Sequence, residues 1–377
     1  MTIILLLIGA ALIYLIQARL YSHYWRQGLH VAIHFSRQAV VEGENATLVE
    51  EITNNKRLPL PILHVKFKIS RNLLFEGGEN TSVSDSSYRH DIFSVLFYQK
   101  ITRTLEFKCA KRGFYTIDQA NLVSANLFLS GNLVDNQKQS TYIYVYPREI
   151  DITAIDIPFQ KAMGTLLSKR ILFEDPFEFR GIREYQITDP MNTINWKATA
   201  KTGNLMVNVH NSTLTPEAVI ILDLQDDTLW KYDNLHEVGI RIAAALAIRF
   251  LTQSVPTRII CNGKDQITKE IVQVPTGNGK RQIAAINESL ARIDLSQEPV
   301  SCVDQLQEEV SDRKRTHPYY IFISSSFGHQ RALLLQQLAD LGSGAMWIAL
   351  HEKGMAVPLS SSDNLNIIKW EVQRNEI

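Results

Sequence analysis

The sequence predicts a mixed all-β and α/β fold behind an N-terminal transmembrane helix, with an antiparallel β-sandwich preceding an α/β domain. Three observations carry that prediction. Residues 2–18 hold no charged side chain, residues 30–147 alternate apolar and polar side chains, and from Pro216 onward short aliphatic runs alternate with helical stretches. At about 150 residues per domain, the 377-residue chain accommodates two soluble domains plus extras. A hydrophobic fraction of 45% with 21% charged residues excludes extensive disorder and a polytopic membrane protein. Lys plus Arg and Asp plus Glu both number 39, and zero net charge argues against a nucleic-acid binder. Cys109, Cys261 and Cys302 are distant and odd in number, so neither a disulfide framework nor a CxxC metal knuckle is present, and a reducing compartment fits.

Residues 3–16 (IILLLIGAALIYLI) are almost wholly aliphatic, and a helix from Thr2 up to Arg19 rises about 27 Å, against a hydrocarbon core of about 30 Å. Tyr21, Tyr24 and Trp25 follow at once, as rings do at headgroup level, and Arg19 and Arg26 can snorkel on the same side. A cleavable signal needs a basic segment before the apolar run, and Met1-Thr2 supplies no side-chain cation, so a retained single-span anchor over residues 1–28 is expected. All flanking cations lie C-terminal to it, which places the rest of the chain in the cytoplasm by the positive-inside rule.

Residues 29–148 read as the sandwich. Period-two strands are expected over residues 29–35, 46–53, 62–69, 94–101, 104–109 and 141–145, with turns at Glu42-Gly43-Glu44-Asn45 and Thr53-Asn54-Asn55-Lys56. Leu58-Pro59-Leu60-Pro61 denies backbone donors and belongs at a strand edge or connection. His30 and His34 share a strand face, but two histidines do not make a metal site.

Residues 216–377 read as a Rossmann-like α/β domain. Residues 218–224 (AVIILDL) form a buried central strand, and residues 235–251 a helix apolar enough to pack tightly on it. Strands over 257–261, 269–274, 319–324, 345–350 and 365–372 and helices over 279–295 and 330–341 complete it. Pro275-Thr276-Gly277-Asn278-Gly279-Lys280 lacks Walker A spacing, since Val274 and Arg281 stand where Gly and Ser or Thr are needed, and reads as a helix-entry turn. Ser324-Ser325-Ser326 with His329 lacks a nucleophile elbow and reads as a strand-to-helix loop.

The densest constellation falls between the domains, in a connector over residues 149–215. Residues 177–207 (FEFRGIREYQITDPMNTINWKATAKTGNLMV) set the cations Arg180, Arg183, Lys197 and Lys201 against only Glu184 and Asp189. Gly181 and Gly203 permit tight turns, and Trp196 is expected as a large buried anchor.

This run resembles the signature of the bacterial domain-of-unknown-function family 58, an R-x-Y-x-x-G-D-x-x-R-x-I-x-W-x-x-S-A-R-x-G-x-L-like stretch. Arg183, Tyr185, Asp189, Ile194, Trp196, Ala200, Lys201, Gly203 and Leu205 match, while Thr188 and Thr193 depart from it. Lys111-Arg112-Gly113-Phe114-Tyr115 resembles the family's R-R-G-x-Y element, Asn126-Leu127-Phe128-Leu129 a diverged D-x-F-G-L, and Val145-Tyr146-Pro147 its Val-Tyr-Pro end. Members often carry a paired membrane hairpin, whereas one span is visible here. The resemblance implies a von Willebrand factor A-like C-terminal domain, a place in the bacterial inner membrane, and partnership of a non-enzymatic assembly factor with a MoxR-type AAA+ ATPase. Arg180, Arg183, Tyr185, Asp189, Trp196, Lys197 and Lys201 would form the binding segment. In von Willebrand A domains a D-x-S-x-S loop holds a divalent cation. Here the loop is Asp223-Leu224-Gln225-Asp226-Asp227, both serines are gone, and Asp223 and Asp227 remain only weak candidates for an ion, so no cofactor is expected. A metal-dependent binder and a hydrolase with a site between domains stand as the rival classes.

Overall fold

The computed structural model describes residues 2–75, 86–148, 150, 152–172, 174–186, 189, 191–212, 217–228, 230–311, 318–361 and 364–372. The chain divides into two compact units, Met1–Arg148 and Glu149–Ile377. Together they make a mixed α/β protein.

Helix α1 (Thr2–Tyr24) opens the first unit and is long and apolar enough to cross a membrane. Its residues up to Ile16 are exposed, whereas Gln17 and Tyr21 are buried. Tyr21 and Trp25 join the core of the unit, and the Tyr21 hydroxyl donates to the Pro59 carbonyl at 2.8 Å.

Among the described residues nine strands follow: β1 (Leu29–Phe35), β2 (Ala39–Val41), β3 (Asn45–Asn54), β4 (Leu60–Ser70), β5 (Leu73–Phe75), β6 (Ser86–Val95), β7 (Lys100–Cys109), β8 (Gly113–Ser124) and β9 (Leu133–Tyr146). They form two sheets, β1-β3-β7-β5 and β2-β9-β8-β4-β6. Leu29, Val31, Ile33 and Phe35 of β1 are buried, with the residues between them exposed. The same alternation along β3 buries Leu48 and Ile52, and both sheets contribute to one core. At the edge of its sheet, β1 is covered by side chains of β9. Gln137 accepts from the Val31 N–H (2.9 Å) and Gln139 from that of Ile33 (3.0 Å). Thr141 accepts from the Phe35 N–H at 3.1 Å, and the two glutamine amides donate back to the Leu29 and Val31 carbonyls.

One expected strand, over residues 94–101, is a hairpin instead. β6 ends at Val95 and β7 begins at Lys100, with Tyr98 at φ 51° and the Gln99 side chain accepting from the Leu96 N–H at 2.7 Å. Alternation on both flanks disguised the turn. Pro61 sits inside β4 where its register with β6 shifts, between Leu60 and Leu63. Gly113 opens β8 because the Tyr115 ring lies 2.7 Å from where a Cβ would stand, folded back so that its hydroxyl donates to the Lys111 carbonyl at 2.8 Å.

The second unit comprises α2 (Ile152–Leu172), β10 (Glu174–Glu184), α3 (Trp196–Thr202), β11 (Met206–Ser212), β12 (Ala218–Leu222), α4 (Asp233–Thr252), β13 (Thr257–Lys264) and β14 (Ile271–Gly277). It continues with α5 (Gly279–Ala291), α6 (Cys302–Ser311), β15 (Tyr319–Ser324), α7 (His329–Leu341), β16 (Ala345–His351) and β17 (Leu365–Glu371). The main sheet runs β14-β13-β12-β15-β16-β17, parallel throughout except for β14 against β13. Ile220 and Leu222 of β12 pack with α2, α4 and α5, while Val219 and Ile221 pack with α6 and α7. Burial on both faces is why these strands read as continuous aliphatic runs. Helix α2 lies where only a connector was expected. Ile155, Phe159, Ala162 and Leu166, at helical spacing, bury it in the core, and the Asp156 carboxylate pairs with Arg249 of α4.

Candidate functional site

The signature run folds into a small ribbon and helix apart from the main sheet. β10 and β11 pair antiparallel, with Ile182 opposite Asn208 and Arg183 opposite Val207. Ile194 bridges Val207, and both are buried, at 7% and 1% exposure. Asn195 then caps α3, its Oδ1 accepting from the Ala198 N–H at 2.9 Å while its amide donates to Asn208 at 2.6 Å. Gly203, at φ 76°, ends the helix in the left-handed conformation that favours glycine, and the Thr199 hydroxyl accepts from the Met206 N–H at 3.0 Å. The short helix is thereby clipped to β11 at its N-cap and at its middle residue, Thr199.

This scaffold revises one expectation. Trp196, expected as a buried anchor, is 66% exposed. It is the first helical residue after the cap, and the buried position two residues earlier belongs to Ile194. Arg183, one of the cations set against Glu184 and Asp189, grips Asp189 with both terminal nitrogens at 2.6 Å. That hydrogen bonding, joined by the Gln186 N–H at 2.8 Å, holds the Asp189 carboxyl below its ordinary value. Tyr185 is half-buried, and its N–H donates to the Leu205 carbonyl at 2.8 Å. Lys197 and Lys201 are exposed on α3, while Arg180 lies on β10 with its side chain outside the described residues. The unit also exposes Met191 (68%) and Ile182 (42%), which sequence reasoning passed over, and Leu205 (43%), one of the residues that carry the resemblance. Their signal was position: Met191 follows Asp189-Pro190 and Leu205 follows Gly203-Asn204, so both stand at turns.

A second constellation stands at the carboxyl ends of three adjacent strands of the main sheet. Asp223, just beyond β12, is 1% exposed. Its Oδ1 accepts from the Asn262 amide (2.7 Å) and the Gln225 N–H (3.0 Å), and its Oδ2 from the Ser324 hydroxyl (2.9 Å). The Nε of Arg331, on α7, lies 2.9 Å from that same Oδ2. Arg331 also donates to Asp227 at 2.7 Å and to the Gln225 side chain at 3.1 Å. Burial drives the Asp223 carboxyl upward from its ordinary value, opposed by Arg331, the Gln225 N–H, Ser324 and Asn262. Burial would lower Arg331, but Asp223 and Asp227 outweigh it and raise it. Every group facing the carboxylate is a donor, an arrangement that suits its ionised form. The two weak metal candidates therefore share one guanidinium. Sequence reasoning missed Arg331, because a lone arginine far along the chain carries no local signal. Ser324 spends its hydroxyl on Asp223 and Ser326 bonds the Gln225 carbonyl, so these two serines are built into the network. Beside it, His236 and Asp226 stand 3.1 Å apart, both buried or nearly so.

Comparison with solved structures finds distant likenesses. One is the CARDB domain of a Pyrococcus furiosus protein, with 13% identity over 30% of this chain and 90% of that one and a TM-score of 0.19. Another is a cohesin module of a family 33 glycoside hydrolase from Clostridium perfringens, with 6% identity over 30% and 97% and a TM-score of 0.22. A third is the sporulation control protein Spo0M of Bacillus subtilis, with 8% identity over 42% and 58% and a TM-score of 0.18. No curated protein matches the chain. Residues 181–349, from the signature ribbon through the Asp223 network to β16, match the family described as "Protein of unknown function DUF58".

Proposed function

We propose that the chain is a membrane-anchored, non-enzymatic interaction factor that presents its signature ribbon to a protein partner. The observation that carries this reading is the exposure of Trp196 on a helix capped at both ends and hydrogen-bonded to β11. A large ring left in water by a structured element is costly to keep unless something covers it, and Trp is enriched among residues that dominate binding. Lys197 and Lys201 beside it supply charge for steering, while Arg183 works within the ribbon through its pair with Asp189. Following the family resemblance, the partner is a MoxR-type AAA+ ATPase and the setting is the cytoplasmic face of a bacterial inner membrane.

The second unit we read as von Willebrand A-like. Its six strands, numbered within the unit's main sheet, run 3-2-1-4-5-6, and the Asp223 network lies at the switch point between the first and fourth, where open α/β sheets bind ligands. The cation at that point is the guanidinium of Arg331, so binding there would need no added ion. The test is direct binding of a purified MoxR-type ATPase to wild type and Trp196→Ala. A central Trp supports a loss of roughly 30-fold or more, about 2 kcal/mol, with the melting temperature nearly unchanged. Equal binding by the variant would remove the ribbon from the interface.

A further inference from the structure

We propose that the end of the first unit beside α1 is itself a lipid-binding face, in which the loop of residues 125–132 enters the membrane next to the helix. The proposal rests on reading α1 as a span. Four connections lie at this end: residues 25–28, 55–59, 96–99 and 125–132, each following or preceding a strand terminus on the α1 side.

Depth follows from a contact. The Tyr14 ring of α1 stands 5.8 Å from that of Phe128, and the Tyr14 hydroxyl is 2.9 Å from the Ser130 hydroxyl. The uncharged run, residues 2–18, rises only about 26 Å, so all of it is needed to approach a hydrocarbon core of about 30 Å. Tyr14 then stands about 6 Å inside the last uncharged residue, Ala18, and the loop touching Tyr14 stands at the same depth. That is the depth at which interfacial elements bury their apolar face, about 5–10 Å into the headgroup and acyl boundary.

The loop's chemistry agrees with this placement. Leu127, Phe128 and Leu129 are 52%, 59% and 58% exposed, three consecutive large apolar side chains. Three of its backbone donors are satisfied from within: Asn126 Oδ1 accepts the N–H groups of Phe128 and Ser130, both at 3.0 Å, and its carbonyl accepts that of Leu129 at 2.9 Å. Backbone donors without water must find such partners. Leu96, Phe97 and Tyr98, more than half exposed, give a second apolar loop at this end. None of the four connections contains Asp or Glu, while the exposed Arg26 and Arg57 supply cations, which suits a bilayer with anionic headgroups.

The test places one polarity-sensitive fluorophore at Leu127→Cys, Ile8→Cys or Arg71→Cys in the full chain. Cys109, Cys261 and Cys302 are buried, so the new thiol is the one labelled. Ile8 reports the span, and Arg71 lies past the opposite end of β4. Each variant is reconstituted into phosphatidylcholine vesicles containing phosphatidylglycerol and acyl-chain quenchers. We expect blue-shifted emission that loses most of its intensity to the quenchers at positions 127 and 8, and neither effect at 71. Quenching at 8 with position 127 behaving like 71 overturns the loop insertion and leaves the span standing. Quenching at neither 8 nor 127 overturns both.

Discussion

Replacing Arg331 with Met removes the only cation within an ion-pair distance of Asp223 among the described residues, while keeping a side chain of similar length. Asp223 is 1% exposed and the Arg331 side chain 6%, so water cannot readily take the guanidinium's place. The remaining hydrogen bonds, from Asn262, Gln225 and Ser324, come from neutral donors, and breaking a buried pair from one side costs about 3–5 kcal/mol. In a unit of this size that corresponds to a fall in melting temperature of roughly 6–20 °C. Urea unfolding of wild type, Arg331→Met, Asp223→Asn and the double variant, followed by the fluorescence of the buried Trp347, closes a double-mutant cycle. The double variant carries no orphaned charge and should recover a large part of the loss. If Arg331→Met costs less than about 1 kcal/mol, or if Asp223→Asn brings no recovery in its background, charge compensation is not what holds this edge of the sheet together.

Magnesium or manganese at millimolar concentration should leave the wild-type melting temperature nearly unchanged, because a bound ion would face the guanidinium already beside Asp223. A saturable rise that Asp223→Ala abolishes would restore a metal site. In the first unit, Glu50 is fully buried, and burial followed by the Asp91 charge, against Arg89 and Arg103, pushes its carboxyl up to about 8. With the folded value raised, its stabilisation is fully present below the unfolded value of 4.5 and is lost as pH rises through about 8. The slope approaches at most about 1.4 kcal/mol per pH unit, and calorimetry of Glu50→Gln should show it flattened; an unaltered pH profile would mean Glu50 does not titrate there. The chain should resist alkaline extraction from membranes, and its C-terminus should be protected from external protease in intact cells. Cleavage from outside would reverse the orientation.

Strands with one buried face, such as β1, β3 and β4, fell close to where period-two alternation placed them, and β12, β15 and β16 where aliphatic runs did. Those signals arise from burial, which side-chain type reports directly. Misreadings came where two local causes share one pattern. Residues 96–99 continue the apolar character of their flanks yet turn, and α2 hides its helical stripe behind Pro158. At the candidate site, the cap and turn residues Asn195 and Gly203 were legible in kind, but not the outward direction of Trp196, which follows from Ile194 taking the inward place. The Asp223 loop was legible as an altered ion loop, while its partner was not, since only folding brings α7 to the end of β12.

The side chains of β9 that cover β1 have a consequence for chains crowded together. Molecules confined to one membrane meet at high local concentration and in similar orientation, conditions under which an open strand edge recruits its neighbour's. Gln137, Gln139 and Thr141 occupy the outward N–H groups of β1, and the glutamines occupy two of its carbonyls as well. A neighbouring strand would have to displace five hydrogen bonds within the same chain before it could add one of its own. The strand that follows α1 is thus closed to strand addition by its own kind along this edge.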